Sequence, residues 1–435
     1  MKIENIQLNN YRNFKEYLIN FGKEATIFIG KNGSGKTNLI TAIKQSLSFI
    51  FSKKKDELQY DFIASSDQKV NSFGTTDARY AYENKQGNFC YPVSIKAKAM
   101  DKGQFIEWEF YKENSSLGLE QSLYRNANVQ YWNNYYHNNE IMKELPVLAF
   151  FSDSYPHITT TISKKMEETL SLGVDLPRNT GYYKWDAEKN CTEIWVSYFT
   201  EQWNNDKLRD GKGDKEYLLA VNKKIIEFSQ KMSEGINSDD IKIETLDVEA
   251  RGKAFILMVI LENGTRIPFN QLPQGYKRIF SIVFDIANRA YLLNSNCNPS
   301  GIVIIDELEL HLHPSIAQEI LNGLKRTYPN IQFIVSTHSP LVITNFKQND
   351  NNLIYKLFEK DGNYRNIRVE DLYGIDYNSG LKDCMETPYR KFKIEELKKA
   401  YEYWKSLQNE DKINILKDKI KDMVGENSHL YKSLD

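Results

Sequence analysis

Residues 30–37 read Gly-Lys-Asn-Gly-Ser-Gly-Lys-Thr and directly follow a short apolar run, Ala25 to Ile29. They fit the pattern G-x-x-x-x-G-K-[ST], in which glycines let the backbone wrap closely around phosphate oxygens. The apolar run predicts a buried strand, and a helix is expected to begin at the end of the loop. Backbone amides and the helix N-terminus would offer partial positive charge to a phosphate, and Lys36 would add a full charge. The stretch therefore predicts a strand, a phosphate-binding loop and a helix.

The phosphate loop, Gly30 to Thr37, also indicates which groups would contact a nucleotide. Lys36 would face the β- and γ-phosphates of ATP, and the Thr37 hydroxyl would bind the accompanying Mg²⁺. From average composition, the fixed positions of the pattern coincide by chance in on the order of one chain in a hundred of this length. The predicted ATP-binding residues are the loop and the residue after it: Gly30, Lys31, Asn32, Gly33, Ser34, Gly35, Lys36, Thr37 and Asn38.

A pair of carboxylates follows a second apolar run, Gly301 to Ile305. The run predicts a buried strand that carries Asp306 and Glu307 at its carboxyl end, which is a Walker B pattern. Asp306 could hold the magnesium and its water shell, while Glu307 could orient and deprotonate the attacking water. A buried strand capped by solvated acids is the ordinary alternative for these residues taken alone.

A histidine follows a third apolar run, Ile331 to Val335. A histidine at a strand end is most often a polar surface residue. Here one predicted helix, Pro314 to Thr327, separates it from the carboxylate strand, and this βαβ spacing lays the two strand ends side by side in a parallel sheet. His338 is therefore predicted to contact the γ-phosphate.

The segment from Leu272 to Arg278 precedes an amphipathic helix. A glycine at a helix start exposes backbone amides to an anion, so Gly275 could face a phosphate. Taken alone, these residues fit an ordinary helix start with a basic first turn better than a phosphate contact. We refer to residues 272–278 as the signature segment.

The order of these four elements resembles the ABC ATPase superfamily. More narrowly, the chain resembles the branch that includes RecF, the SMC chromosome-organising proteins, the coiled-coil double-strand-break repair ATPases and the OLD-type ATPases. Leu8 to Phe14 resembles the first strand and turn of that branch, and Asp306 to Pro314 its Walker B motif and D-loop. Tyr373 to Ser379 is similar to a motif of single-chain bacterial ATPases, including subunits of anti-phage systems such as Septu, PARIS and some retrons.

The resemblance implies that ATP is sandwiched between the phosphate loop of one subunit and the signature segment of another. It therefore implies a head-to-tail homodimer or a higher oligomer of dimers, with Arg12 near the phosphates and Gln68 as a metal ligand. Pro273 stands where the family usually has serine, so it offers neither a hydroxyl nor an amide to the phosphate. The residues expected to contact ATP in trans are Gln274, Gly275 and Tyr276.

The charge balance, the cysteines and the lengths of the apolar runs argue against several classes of protein. The 435 residues carry 57 basic and 58 acidic side chains, so the net charge of the protein is too small to attract nucleic acid or an anionic membrane. The four cysteines are far apart and lack metal-ligand spacing. No apolar run is long enough to span a bilayer, and the first ten residues do not resemble a signal peptide. We expect a cytoplasmic protein with no membrane partner.

The predicted fold class is α/β, an ABC-type P-loop NTPase with a mixed, mostly parallel central sheet, an antiparallel β subdomain, a helical insertion and a C-terminal helical tail. The predicted division is an N-terminal ATPase half over 1–144, a helical insertion over 145–240, a C-terminal ATPase half over 241–390 and a helical hairpin over 391–435. Mixed polar and aromatic composition defines the insertion. Apolar positions at helical spacing define the hairpin.

Two functions follow from the resemblance. The first is an ATPase subunit of an anti-phage complex, which controls a separate effector nuclease or toxin-like protein. The chain lacks the heptads that a long coiled coil requires. After Pro340 it also lacks a glycine-flanked acidic motif able to ligate two metals, which a nuclease of the OLD type needs. The alternative is a RecF-like repair ATPase with DNA as partner, for which Lys53 to Lys55 is the one tight basic cluster near the nucleotide half.

Overall fold

The computed structural model describes residues 1–51, 73–83, 86–114, 123–125, 144–152, 176, 178–187, 191–208, 211–252, 254–370, 372–380, 382, 392–426 and 428–434. Gln68 and the cluster Lys53 to Lys55 lie outside the described residues. The chain divides into two compact units, Met1–Gly374 and Ile375–Asp435. Each unit is described by itself.

The first unit contains sixteen described strands and six described helices. The strands are β1 (Lys2–Tyr11), β2 (Phe14–Asn20), β3 (Ala25–Ile29), β4 (Arg79–Glu83), β5 (Gln86–Cys90), β6 (Val93–Asp101), β7 (Gln104–Lys112), β8 (Leu123–Arg125), β9 (Val147–Phe151), β10 (Ile243–Arg251), β11 (Ala254–Leu261), β12 (Arg266–Pro268), β13 (Gly301–Ile305), β14 (Ile331–Ser336), β15 (Asn352–Lys360) and β16 (Asn363–Arg368). The helices are α1 (Lys36–Leu47), α2 (Thr192–Leu208), α3 (Lys215–Ile236), α4 (Gln274–Asn294), α5 (Pro314–Thr327) and α6 (Pro340–Thr344).

The central sheet has the strand order β16-β15-β3-β14-β13-β9. Its strands run parallel except β16, which pairs antiparallel with β15 at the edge. All residues of β3, β9, β13 and β14 are buried, as expected for parallel strands covered on both faces. The strands β3, β14 and β13 are neighbours and run in the same direction, so their carboxyl ends lie side by side. The phosphate loop, the histidine and the two carboxylates follow these three strand ends.

The parallel pairing of β13 and β14 confirms the predicted βαβ unit. Ile305 at the end of β13 lies opposite Val335 of β14, so the two strand ends are level. The connecting helix α5 buries an apolar face that includes Ile316, Ile320 and Leu324. Proline at its first position suits a helix start, because a first-turn N–H has no partner within the helix.

A second sheet is fully antiparallel, with the order β2-β1-β6-β7-β8. The strands β6 and β7 form a hairpin that turns between Asp101 and Gln104. The buried Gln332 of β14 joins this sheet to the central one, because its amide bonds both backbone groups of Ile3 at 2.7 and 2.8 Å and the Gly22 carbonyl at 2.8 Å. The sheet thereby packs beside the phosphate-loop strand, while β10, β11 and β12 form a separate antiparallel sheet.

The region predicted as a helical insertion begins with a strand. Val147–Phe151 forms β9 and pairs in parallel with β13 at the edge of the central sheet. Its five consecutive apolar residues suit a buried strand better than an exposed helix start. The helices α2 and α3 follow and pack on α4, where the Trp195 indole donates to the Asp285 carboxylate at 2.7 Å. The proposed boundaries at 145 and 240 stay a prediction.

The second unit is helical, as the spacing of its apolar residues predicts. The helices α7 (Phe392–Ser406) and α8 (Glu410–Val424) pack on each other, with single helical turns at Tyr377–Ser379 and His429–Lys432. Tyr401, Ile420 and Leu434 form its small core, and the Tyr401 hydroxyl donates to the Leu434 carbonyl at 2.7 Å.

These observations confirm the predicted fold class. The first unit has the mixed α/β sheet of an ABC-type P-loop NTPase together with antiparallel β sheets and added helices, and the chain ends in helices. Among the described helices, none is both long enough and apolar enough to cross a membrane.

Candidate functional site

Lys36 lies at the centre of the phosphate loop and is 7% exposed. Its ammonium donates to the carbonyl oxygens of Gly30 at 2.7 Å and Lys31 at 3.2 Å, so the side chain reaches back across the loop. Burial lowers the pKa of the Lys36 ammonium, and the negative charges of nearby Asp306 and Glu307 oppose this effect. A strong cation is therefore held inside a backbone loop, close to two carboxylates.

The backbone of the phosphate loop has the shape of an anion cradle. Gly35 precedes helix α1 in a left-handed conformation, with φ of 95°, and a Cβ there would lie 3.0 Å from the Phe14 ring and 3.2 Å from Tyr364. Within the described part of the chain, the buried Ser34 hydroxyl has no hydrogen-bond partner. A buried polar group is normally satisfied, so the Ser34 hydroxyl is available to donate a hydrogen bond to a phosphate oxygen.

The two predicted carboxylates leave β13 in different environments. Asp306 is 8% exposed, and its carboxylate accepts a hydrogen bond from the Ser336 hydroxyl of β14. Glu307 has a positive φ of 50°, a conformation that costs a residue with a side chain about 1–2 kcal/mol. Its backbone N–H donates to the same Ser336 hydroxyl oxygen at 2.9 Å. Ser336 thus fixes both acids relative to the histidine strand.

Arg278 also holds the turn that carries Asp306 and Glu307. This residue is fully buried near the start of α4, and its guanidinium donates to the carbonyls of Glu307 at 2.9 Å and Asp306 at 3.1 Å. A third bond, at 3.4 Å, reaches the Ser152 carbonyl after β9. The sequence predicted only a basic first turn here, whereas the structure shows a link from the signature segment to the backbone of Glu307.

His338 is half-buried after β14, in the segment Ser336–Pro340 that we call the histidine loop. Burial and then the charge of Lys36 lower the pKa of its imidazole, while the carboxylates of Glu309 and Asp306 act in the opposite direction. The imidazole of His338 is therefore close enough to Lys36 and Asp306 for their charges to affect its pKa. Glu309, which sequence reasoning did not single out, also bonds the backbone of the histidine loop.

Arg12 lies beside the residue that follows the phosphate loop. Its guanidinium donates to the Asp77 carboxylate at 2.8 Å and to the Asn38 side-chain oxygen at 3.0 Å. The Asn38 amide donates in turn to Asn13 at 2.7 Å. The arginine is therefore an ordered part of the site's rim, held by Asp77.

A pocket of about 700 Å³ opens next to these residues. Tyr80 and Phe89, on the paired strands β4 and β5, are 58% and 46% exposed and meet edge to face at 5.2 Å. Aromatic faces combined with side-chain amides suit a flat, partly polar ring. Its lining includes Arg12, Asn13, Asn38, Tyr80, Phe89 and Tyr364.

The predicted trans residues Gln274, Gly275 and Tyr276 form the start of α4, directly after Pro273. The first of them is exposed and the other two are partly exposed. A Cβ on Gly275 would lie 2.8 Å from the His311 carbonyl oxygen, in the turn after β13. The glycine therefore permits close packing within its own chain, in addition to any contact with an anion.

The residues that could hold a magnesium ion are Thr37 and Asp306. Thr37 is exposed at the start of α1, and Asp306 follows β13, which lies two places from β3 in the sheet. Hydroxyl and carboxylate oxygens are the hard ligands that Mg²⁺ prefers, and this ion usually completes its shell with water and substrate phosphates. The donor set fits a magnesium ion delivered together with a nucleotide.

Known proteins are similar to this chain over most of its length. A family model described as an AAA ATPase domain matches residues 1–343, which include the phosphate loop, both carboxylates and His338. The chain is 27% identical to the retron Vc95 probable ATPase of Vibrio cholerae serotype O1 biovar El Tor over 388 residues, 79% of this chain and 71% of that protein.

Two further proteins are similar to parts of the chain. The Septu protein PtuA of Bacillus mycoides (strain KBAB4) is 32% identical over 127 residues, 29% of this chain and 17% of that protein. The SMC head domain from Thermotoga maritima aligns with 85% of this chain and 100% of its own, at 15% identity and a TM-score of 0.43. The AAA ATPase family model and the similarity to the retron and Septu proteins confirm the resemblance that the motifs predicted.

Proposed function

The chain belongs to the AAA ATPase domain family, and on this basis we propose that it binds ATP with Mg²⁺ and hydrolyses it at the carboxyl edge of the central sheet. The observation that carries the proposal is the convergence of three strand ends. The phosphate loop, the pair Asp306 and Glu307, and His338 leave β3, β13 and β14 at one edge of the sheet.

Each residue has a distinct role in this proposal. Lys36 and the amides of the phosphate loop bind the β- and γ-phosphates, and Arg12 lies at their rim. Thr37 and Asp306 would hold Mg²⁺, which supplies charge neutralisation on the β- and γ-phosphate oxygens when bound. His338 donates a hydrogen bond to the γ-phosphate from the third strand end.

Glu307 acts as the general base. Its carboxylate accepts a proton from a water molecule, whose oxygen attacks the γ-phosphorus while the bond to the β–γ bridging oxygen breaks. The products are ADP and inorganic phosphate, and the carboxylate then releases its proton to solvent. The left-handed backbone of Glu307, bonded by Ser336 and Arg278, fixes the direction from which this carboxylate approaches.

The pocket beside Arg12 receives the nucleoside. Tyr80 and Phe89 present aromatic faces for the adenine ring, and the amides of Asn13 and Asn38, which line the same pocket, would contact the sugar. Loss of both aromatic rings should raise the KM for ATP more than it lowers kcat, because base stacking contributes equally to the ground state and the transition state.

The wider function that we propose is control of a separate effector in an anti-phage complex. The similarity to a retron ATPase and to the Septu protein PtuA supports this role. In this proposal, ATP joins two copies head to tail in the cytoplasm, with Gln274, Gly275 and Tyr276 of one copy on the γ-phosphate held by the other. The dimer scaffolds an effector nuclease or toxin-like protein, and this chain contributes no nuclease.

The variant Glu307→Gln tests the hydrolytic site. Loss of the base should reduce turnover by about 10²–10⁴-fold, while ATP still binds and the closed dimer accumulates. Turnover, nucleotide affinity and mass by light scattering would be measured with ATP and Mg²⁺. Glu244→Gln, at an exposed position on β10, serves as the matched control. Unchanged turnover in Glu307→Gln would refute the assignment of the base.

Affinity purification from native cells tests the partner. The tagged chain would be isolated with ATP and Mg²⁺, and copurified proteins identified by mass spectrometry. A stoichiometric small nuclease or toxin-like protein supports the scaffold. Repair proteins, with DNA that stimulates ATP turnover in a salt-dependent way, would instead favour the RecF-like alternative.

A further inference from the structure

The side chain of Glu309 joins the turn after β13 to the histidine loop. Its Oε1 accepts a hydrogen bond from the backbone N–H of His338 at 2.6 Å. Its Oε2 accepts one from the Thr337 hydroxyl, also at 2.6 Å. Both carboxylate oxygens therefore contact a loop that lies 28 and 29 residues further along the chain.

The histidine loop is fixed from two sides. The backbone N–H of Thr337 donates to the Phe28 carbonyl at 3.1 Å, in the strand that leads into the phosphate loop. The hydroxyl of Thr337, which bonds Glu309, also accepts from the Ser339 N–H at 3.0 Å. Hydrogen bonds to a carboxylate are shorter and stronger than neutral ones, so Glu309 is the strongest of these anchors.

Glu309 is placed differently from Glu307, although both acids belong to the same turn. A general base needs a carboxylate oxygen directed at water, whereas both oxygens of Glu309 accept hydrogen bonds from the histidine loop. A carboxylate in this setting orients its donors. The geometry therefore assigns Glu309 to holding a neighbouring loop, while the role of base stays with Glu307 in the proposed function.

We propose that Glu309 is a positioning residue, which fixes the backbone at His338 so that the imidazole meets the γ-phosphate during ATP hydrolysis. The proposal rests on the proposed function, because the aligned histidine acts in that reaction. Displacement of a group by about 1 Å can cost on the order of a hundredfold in rate, which is the scale on which such an anchor matters.

Kinetics of Glu309→Ala and Glu309→Gln test the proposal. The alanine variant should lower kcat by about 10–100-fold and leave the KM for ATP within about threefold, because only alignment is lost. The glutamine variant should regain most of the activity, since its amide oxygen accepts from the His338 N–H and its amide N–H₂ donates to Thr337. Glu244→Ala, an exposed glutamate on β10, controls for the loss of an acid.

A double variant separates positioning from an independent catalytic effect. If Glu309 acts through His338, Glu309→Ala combined with His338→Ala should be no slower than His338→Ala alone, within about threefold. Losses that multiply would overturn the proposal. An increase in KM without a change in kcat would also overturn it, since that result assigns Glu309 to ATP binding.

Amide hydrogen exchange of the histidine loop makes the test independent of ATP turnover. In the nucleotide-free protein, Glu309→Ala should speed exchange at His338 by about tenfold or more, and Glu309→Gln should not. Equal exchange in both variants and the wild type would overturn the positioning role, whereas a wild-type chain without turnover would refute only the proposed function. Thr337→Val, which removes one of the two contacts, replaces the alanine variant if that variant fails to fold.

Discussion

The phosphate loop and the signature segment both place a glycine at the start of a helix, but they are built differently. In the phosphate loop, the contacts of Lys36 stay within eight consecutive residues, at the carbonyls of Gly30 and Lys31. In the signature segment, Arg278 instead bonds the carbonyls of Asp306 and Glu307, 28 and 29 residues further along the chain. One region is a local cradle, and the other is a connection between distant parts of the chain.

This structural difference predicts that the phosphate loop controls the affinity for ATP and that the signature segment controls the rate of hydrolysis. A local cradle is complete in one short segment, so a change within it should alter the affinity for ATP. A connection that holds the backbone of Glu307 should alter the rate of hydrolysis while ATP still binds. The following four predictions test that distinction, from the largest expected effect to the smallest.

Lys36→Ala should have the largest effect. Loss of the cation inside the loop should weaken ATP binding by about a hundredfold or more, equivalent to roughly 2.8 kcal/mol. Binding of a fluorescent ATP analogue or calorimetry would measure the affinity. Lys15→Ala, an exposed lysine on β2, is the matched control. Normal ATP affinity in Lys36→Ala would contradict the assignment of the phosphate loop.

Arg278→Met should mainly affect turnover. The change removes the hydrogen bonds that the Arg278 guanidinium donates to the carbonyls of Asp306 and Glu307, a loss of about 1–3 kcal/mol. The turn that carries Glu307 is then held less firmly. We expect kcat to fall by about 10–100-fold with ATP affinity within threefold, and the melting temperature to drop. Lys277→Met, at the partly exposed neighbour, should leave kcat nearly unchanged. A weakened affinity with normal kcat would place Arg278 in the binding site instead.

Two glycine substitutions compare the regions directly. Gly33 has open space around it but a φ of 81°, so Gly33→Ala strains the loop by about 1–2 kcal/mol and should raise the KM for ATP. Gly275→Ala would place a Cβ 2.8 Å from the His311 carbonyl and should lower kcat by about 3–10-fold through displacement of that turn. Steady-state kinetics measures both. A lower kcat in Gly33→Ala together with a higher KM in Gly275→Ala would contradict the assignment of binding to the phosphate loop and of turnover to the signature segment.

The smallest effect concerns the titration of His338. Burial and the charge of Lys36 hold its pKa below the ordinary value of 6.5, so the imidazole should stay neutral to a lower pH than usual. Because Lys36 lowers this pKa and Glu309 raises it, Lys36→Ala should move it upward and Glu309→Gln downward. Proton NMR of the nucleotide-free protein, with the signal assigned by its loss in His338→Gln, would measure these shifts. Identical titrations in all three proteins would contradict the electrostatic coupling.

Local motifs were predictable because each consists of neighbouring residues with a matching pattern. The phosphate loop, the strand before Asp306 and the strand before His338 all follow from apolar runs and their terminal residues. Arg278, Ser336 and Glu309 were not identified as part of the site. Their partners include backbone carbonyls and amides, which occur at every position and leave no mark in a sequence.

The start of the insertion shows a second limit of sequence reasoning. Val147–Phe151 has the apolar character of a buried strand, but the long polar and aromatic stretch after it favoured a helical assignment. Its place in the sheet depends on the parallel partner β13, about 150 residues away in the chain, as in the pair Gly301 and Val147. Short apolar runs are ambiguous until a partner strand is known.

Residue patterns were enough to predict the α/β class, the phosphate loop, the two acids after β13, the histidine and the C-terminal helices. Hydrophobic periodicity and residue chemistry are local properties, so they can be recognised along the chain. Three features could be seen only in the folded chain: β3 lies between β15 and β14, α4 anchors the backbone of Glu307 through Arg278, and Glu309 bonds the histidine loop. These features depend on strand order and on contacts between distant backbone groups, which form only when the chain is packed.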